Sequence, residues 1–241
     1  MKLLNSITVV IFLLSTTLSC AQWGNGKKIK GNGDITTISR STGSYEGLKV
    51  AGPMDFKLVE GKEGEISIKG DSNLMEYIIT EIDGDNLVVK VKDGFNLHYN
   101  QEIVVTVPYE SINYVALAGS GDIENLGTIK ANAFKVALAG SGDIKLKVNS
   151  ESVESAISGS GDIELKGVTT DLTVKIAGSG DFDGNSLEST NVTANIAGSG
   201  EANVVCNGYL KVRISGSGDV NYSGKPTNKD TKISGSGSVS N

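Results

Sequence analysis

Beyond residue 45, apolar and polar residues alternate along much of the chain, and one glycine motif interrupts the alternation again and again. In "LTVKIAGSGDF", Leu172, Val174 and Ile176 fall on one side of an extended strand, while Thr173 and Lys175 fall on the other. That two-residue period is the signature of a half-buried β-strand. One unit later it returns as Val192, Ala194 and Ile196, and then as Leu210, Val212 and Ile214. Each run ends in Ala or Ser, then Gly-Ser-Gly, then usually an acid.

The motif occurs seven times, with first glycines at Gly119, Gly140, Gly159, Gly178, Gly198, Gly216 and Gly235, spaced by 21, 19, 19, 20, 18 and 19 residues. This wandering period excludes a heptad, and it excludes the nine-residue calcium roll taken alone. It suits one coil of a β-solenoid, in which each turn of chain stacks on the last. Aligning the units predicts two interior columns. The first is Leu117, Leu138, Ile157, Ile176, Ile196, Ile214 and Ile233; the second, just past the turn, is Ile123, Ile144, Ile163, Phe182, Ala202, Val220 and Val239.

The turn composition follows from the stacking. Two glycines around a serine permit positive φ and close approach between coils. The preceding residue is always Ala or Ser, as expected where a corner has no room. After the second glycine stand Asp122, Asp143, Asp162, Asp181, Glu201 and Asp219, where a carboxylate can accept hydrogen bonds from turn amides. The competing reading makes this row a calcium ladder. Carboxylates on neighbouring coils, ~4.8 Å apart, repel by only ~0.9 kcal/mol in water. Burying one Ile or Leu per coil contributes about 1.5–3 kcal/mol. The stack therefore tolerates the acids without a cation, and Ser238 and the longer Glu201 do not suit a strict metal site. We expect structural turns, no metal and no cofactor.

The front half is less regular. Residues 22–44 read as a polar, glycine-rich, mobile leader with one short strand. From Leu48, "LKVAGPMDFKLVEG" matches the later units as a degenerate coil, and "EGEISIKG", "NLVVKVKDG" and "EIVVTVP" read as further strands. Asp71-Ser72 before "NLMEYI" predicts a capped helical turn whose apolar residues plug the core's N-terminal end. The expected organisation is one domain over 45–241, with irregular coils and cap over 45–108 and regular coils over 109–241.

Composition narrows the classes. Thirty-one glycines with only 3 prolines do not suit collagen. A net charge of −6 with interspersed signs leaves no basic stripe for nucleic acid. His98, the single histidine, has no partner His or Cys nearby in sequence, and no ligand role is expected for it. The start, "MKLLNSITVVIFLLSTTLSCAQW", reads as a signal peptide over 1–21, too short in its apolar core to span a bilayer. Cleavage after Ala21 competes with lipidation at Cys20 through a lipobox-like "LSC", in which Thr17 replaces the usual Leu. In either case Cys206 is left without a disulfide partner and reads as a small buried hydrophobe.

The opening "GLKVAGPMDFKLVEG", the segment "DSNLMEYIITEIDGDNLVVKVK" and the successive "GSGD" units together resemble the head GIN domain family of bacterial envelope proteins, over roughly Gly47–Ser238. The resemblance implies an all-β, right-handed, single-stranded β-helix and an adhesin role, with no catalytic residues to carry over. The expected function is a non-enzymatic envelope or surface protein, contacting an unidentified extracellular protein or glycan. Three alternatives stand beside it: a polysaccharide-binding or polysaccharide-cleaving β-helix enzyme, a calcium-stabilised repeat protein, and a homo-oligomer pairing through the last coil, "KISGSGSVSN".

Overall fold

The computed structural model describes residues 26–241; the expected signal peptide over 1–21, with Cys20, lies outside the described residues. Strands β1 (Lys27–Lys30) and β2 (Ile35–Ser41) precede the first coil, made of β3 (Gly47–Gly52) and β4 (Asp55–Glu60). There follow β5 (Glu65–Asp71), a 3₁₀ turn (Ser72–Tyr77), β6 (Ile78–Asp83), β7 (Asn86–Val91), β8 (Phe95–His98) and β9 (Val104–Tyr109). The regular coils comprise β10 (Tyr114–Gly119), β11 (Ile123–Asn125), β12 (Ile129–Gly140), β13 (Ile144–Gly159), β14 (Ile163–Gly178) and β15 (Phe182–Gly198). They continue through β16 (Glu201–Val205), β17 (Tyr209–Gly216), β18 (Asp219–Ser223), β19 (Asn228–Gly235) and β20 (Val239–Ser240).

The coils stack in parallel register to form a β-solenoid of about seven turns with ~19 residues per turn. One face is the parallel series β7-β3-β10-β12-β13-β14-β15-β17-β19. Along it Leu117, Leu138, Ile157, Ile176, Ile196, Ile214 and Ile233 pair residue for residue. The first six are buried, and Ile233, on the last coil, is 41% exposed. The second column also stacks in register from Ile123 to Val239. Its members are buried except Val239, which is partly so.

Gly159 shows why the corner needs glycine. Its φ is +129°, and a Cβ there would lie 2.3 Å from the carbonyl oxygen of Gly140. That oxygen accepts the N–H groups of Ser160 (2.9 Å) and Gly161 (3.1 Å) from the next coil. A side chain would occupy the space that joins the two rungs.

"LKVAGPMDFKLVEG" is indeed an early coil: Gly52 pairs with Gly119 and Phe56 with Ile123. The rung made by β7 and β9 lies on its other side, although it follows in sequence. Beyond that rung the end is closed by β5, antiparallel to β9, and by β2, antiparallel to β5. In the 3₁₀ turn Leu74 and Met75 are buried, as the plug reading expects.

Two expectations change. Among the described residues of the segment 22–44 there are two strands rather than one, and β2 is built into the fold. The Arg40 guanidinium donates to the carbonyl of Ile78, to that of Met75 (2.6 Å) and to Thr80 Oγ1 (3.1 Å). Asp71 stands at the N-cap position but makes no cap hydrogen bond. Its buried carboxylate instead accepts the N–H groups of Gly33 (2.6 Å) and Asn100 (2.9 Å), pinning the N-terminal segment to the loop after β8. These amide donors hold its pKa below the ordinary aspartate value.

Candidate functional site

Three rows of residues run along the solenoid, and each comes from one repeated position. The first is the acid row. Asp122 Oδ1 accepts the N–H of Asp143 (2.9 Å), Asp143 that of Asp162 (3.3 Å), Asp162 that of Asp181 (2.8 Å) and Asp181 that of Glu201 (2.7 Å). Asp55 serves Asp122 in the same way from the early coil, and Asp219 serves both the N–H and Oγ of Ser238. Each carboxylate thus satisfies a turn amide one rung on. Where the series passes through Glu201, the amide of Asp219 turns to the Gly200 carbonyl instead. Burial raises the pKa of Asp55, and the neighbouring charges of Asp122, Glu102 and Glu124 add to that rise against the hydrogen bond from Asp122 N–H. Among the described residues, no group of three or more His, Cys, Asp or Glu side chains is arranged to hold a metal ion.

The second row is internal and carries no glycine signal in the sequence. Ala131, Ser150, Thr169 and Ser189 stack in register at a bend between strand segments. Ser150 Oγ donates to the carbonyls of Asn132 (3.1 Å) and Ser152 (2.9 Å), and Thr169 Oγ1 to those of Glu151 (3.3 Å) and Asp171 (3.2 Å). Cys206 continues the row, its Sγ lying 3.4 Å from the Thr190 carbonyl. It is fully buried, and burial pushes its thiol pKa up, which leaves it protonated and unreactive. His98 ends β8, where its carbonyl accepts the N–H of Gly31 (2.8 Å).

The third row is external. The position before each corner glycine was expected to be small because the corner is crowded; the structure overturns that reason. Ala139, Ser158, Ala177, Ala197 and Ser215 point outward and are exposed. Two positions earlier, Ala116, Ala137 and Ala156 stack in register and give way to Lys175, Asn195, Arg213 and Lys232. Between these columns a furrow of about 930 Å³ follows the solenoid axis, from Val88 and Lys90 to Lys232 and Ser234. Small side chains on exposed strand positions leave its floor open. Nothing inside the fold requires Ala there, since Thr, Val or Lys would suit an exposed strand at least as well as Ala. The alternation pattern gave the outward direction of these residues; what concealed the furrow was the nearby glycine, which made smallness look like a corner requirement.

Such a stack of near-identical rungs, with one continuous exterior furrow, defines a parallel β-solenoid. The chain belongs to the family described as "Putative auto-transporter adhesin, head GIN domain", whose model matches residues 44–226. Among curated proteins, none matches the chain. Solved structures share the fold. A "putative adhesin" from Bacteroides fragilis NCTC 9343 is 17% identical, with a TM-score of 0.82 over 88% of this chain and 99% of that one. A "putative lipid binding protein" from Parabacteroides distasonis ATCC 8503 is 25% identical, with a TM-score of 0.71 over 89% and 99%. A "putative adhesin" from Parabacteroides merdae ATCC 43184 is 22% identical, with a TM-score of 0.70 over the same shares, 89% and 99%.

Proposed function

We propose that the protein is an exported, non-enzymatic adhesin of a Gram-negative envelope, presenting its solenoid faces to an extracellular protein or glycan. The observation that carries this reading is the sameness of the rungs. Acid–base catalysis on a glycan needs two carboxyl groups held in different environments. Here the acids of the ladder meet the same partner, a backbone N–H one rung on, from Asp122 to Asp181. The family and the structural relatives described as putative adhesins support the same class, as does the apolar N-terminal stretch for export. Among the described residues no helix is long and apolar enough to cross a membrane. The test is binding of the purified mature chain to arrays of envelope and host glycans and proteins, together with an assay for reducing ends released from glycans. Saturable binding without release is expected; release would revive the enzyme reading.

The furrow favours a second reading, binding of an apolar ligand. Its volume lies in the range of small-molecule sites, alanine is the commonest side chain facing into it, and one structural relative is described as a "putative lipid binding protein".

A further inference from the structure

We propose that the furrow binds a free long-chain fatty acid, its carboxylate at the Lys49–Lys90 end and its acyl chain laid over Ala116, Ala137 and Ala156. The inference rests on the apolar-ligand reading and adds to it the head group, its position and the direction of the chain.

Charge argues for the head group. Five cations line the furrow and no acid does, in a chain whose net charge is −6. Four of the five are paired with acids that stand outside the furrow, so the groups facing into it are cationic while their counter-ions are set back. Lys49 and Lys90 stand on adjacent strands, β3 and β7. Lys49 is in register with Ala116, in one outward column, and Lys90 with Ala51, in the other. The pair thus flanks one end of the furrow from both sides, and Tyr114 lines that same end.

The direction follows from what the cations already hold. Lys49 lies 3.7 Å from Asp83 and Lys90 3.1 Å from Glu81, in exposed pairs that are worth little and can share their lysines with a ligand carboxylate. At the far end Arg213 is committed to the Asp230 carboxylate and to the carbonyls of Val212 (2.9 Å) and Asp230 (3.0 Å). Lys175 sits 2.6 Å from Glu154, and Lys232, which has no ion pair among the described residues, stands on the last coil beyond Lys175, Asn195 and Arg213, where the column is no longer alanine. From β3 to β14 is four rungs, about 19 Å, and the intervening floor is alanine in the Lys49 column. That span accommodates an extended long acyl chain, shielding its methylenes from water along one side.

The experiment is displacement of a polarity-sensitive fluorescent fatty acid from the purified chain by palmitate, by hexadecanol and by phosphatidylglycerol vesicles. Palmitate is expected to compete in the micromolar range. Ala137→Gln, which raises a polar side chain from the floor, should weaken it roughly tenfold. The double variant Lys49→Gln/Lys90→Gln should weaken palmitate about tenfold and leave hexadecanol unchanged; circular dichroism checks that each variant folds. Equal binding of palmitate and hexadecanol, insensitive to the two lysines, overturns the head-group assignment and leaves the apolar-ligand reading standing. Failure of palmitate and hexadecanol alike overturns both, and binding to vesicles alone replaces them with a membrane surface. None of these outcomes bears on the adhesin test.

Discussion

Ser155 is an exception inside an aliphatic column. It stacks between Val136 and Val174, is fully buried, and its Oγ has no hydrogen-bond partner. A buried hydroxyl left unpaired costs about 1–3 kcal/mol. Ser155→Ala should therefore stabilise the protein by about 1 kcal/mol, a rise of about 2–4 °C in melting temperature for a chain of this size. A fall would show that the hydroxyl has a partner. Asp71 works in the opposite sense, because its carboxylate is satisfied by amide donors. Its folded pKa is depressed, so its contribution is fully present above the ordinary aspartate value of about 3.9 and is lost as pH falls through the folded value. Asp71→Asn should lower the denaturation midpoint at pH 7 and flatten the acid limb of the stability profile. It should also speed amide exchange at Gly33 and Asn100. At this scale the sequence was only partly readable: no signal set Ser155 apart from the polar half of an alternating strand, and the local cap pattern around Asp71 pointed to the wrong donors. The true ones, at Gly33 and Asn100, are distant in sequence.

Among the elements, the glycine corner and the acid beside it form one device. Gly159→Ala places a Cβ against the Gly140 carbonyl at a positive φ and should cost at least about 2 kcal/mol, read by chemical denaturation. Since the ladder carboxylates already accept amides, millimolar calcium or a chelator should leave the melting temperature unchanged; a large upward shift with calcium would restore the metal ladder. The interior columns were legible up to the last coil, because Ile157, Ile176 and Ile196 repeat at fixed offsets from glycine and are buried in register; on that coil nothing stacks over Ile233, which was expected inside and is exposed. The Ser150–Thr169–Ser189 bend was not legible, since hydroxyls that cap carbonyls from the inside look like the polar half of an alternating strand. Nor was β2, whose pairing with β5 is hidden by the glycine-rich composition around it.

At the scale of the whole molecule, the two ends differ. The N-terminal end is closed by antiparallel strands and the buried Leu74 and Met75. On the last coil, register places Lys229 over Leu210 and Thr231 over Val212, so polar residues replace the aliphatic column. Lys229 Nζ lies 2.8 Å from Tyr222 Oη and 5.2 Å from its ring centre. A charge aimed at the core of an edge strand discourages pairing with another chain. Lys229→Val/Thr231→Val should therefore associate with rising concentration in light scattering while the parent chain does not. Concentration-dependent assembly of the parent would reassign the last coil as an interface.

The order of the rungs bears on how the molecule is made. β3 and β4 precede in sequence the β7–β9 rung that lies on their outer side, so the first coil is covered on that face only once Tyr109 has been made. By then β2 to β9 are all present, and they pair with one another to close the end. The remaining turns follow in sequence order, each new edge templating the next toward the carboxyl end.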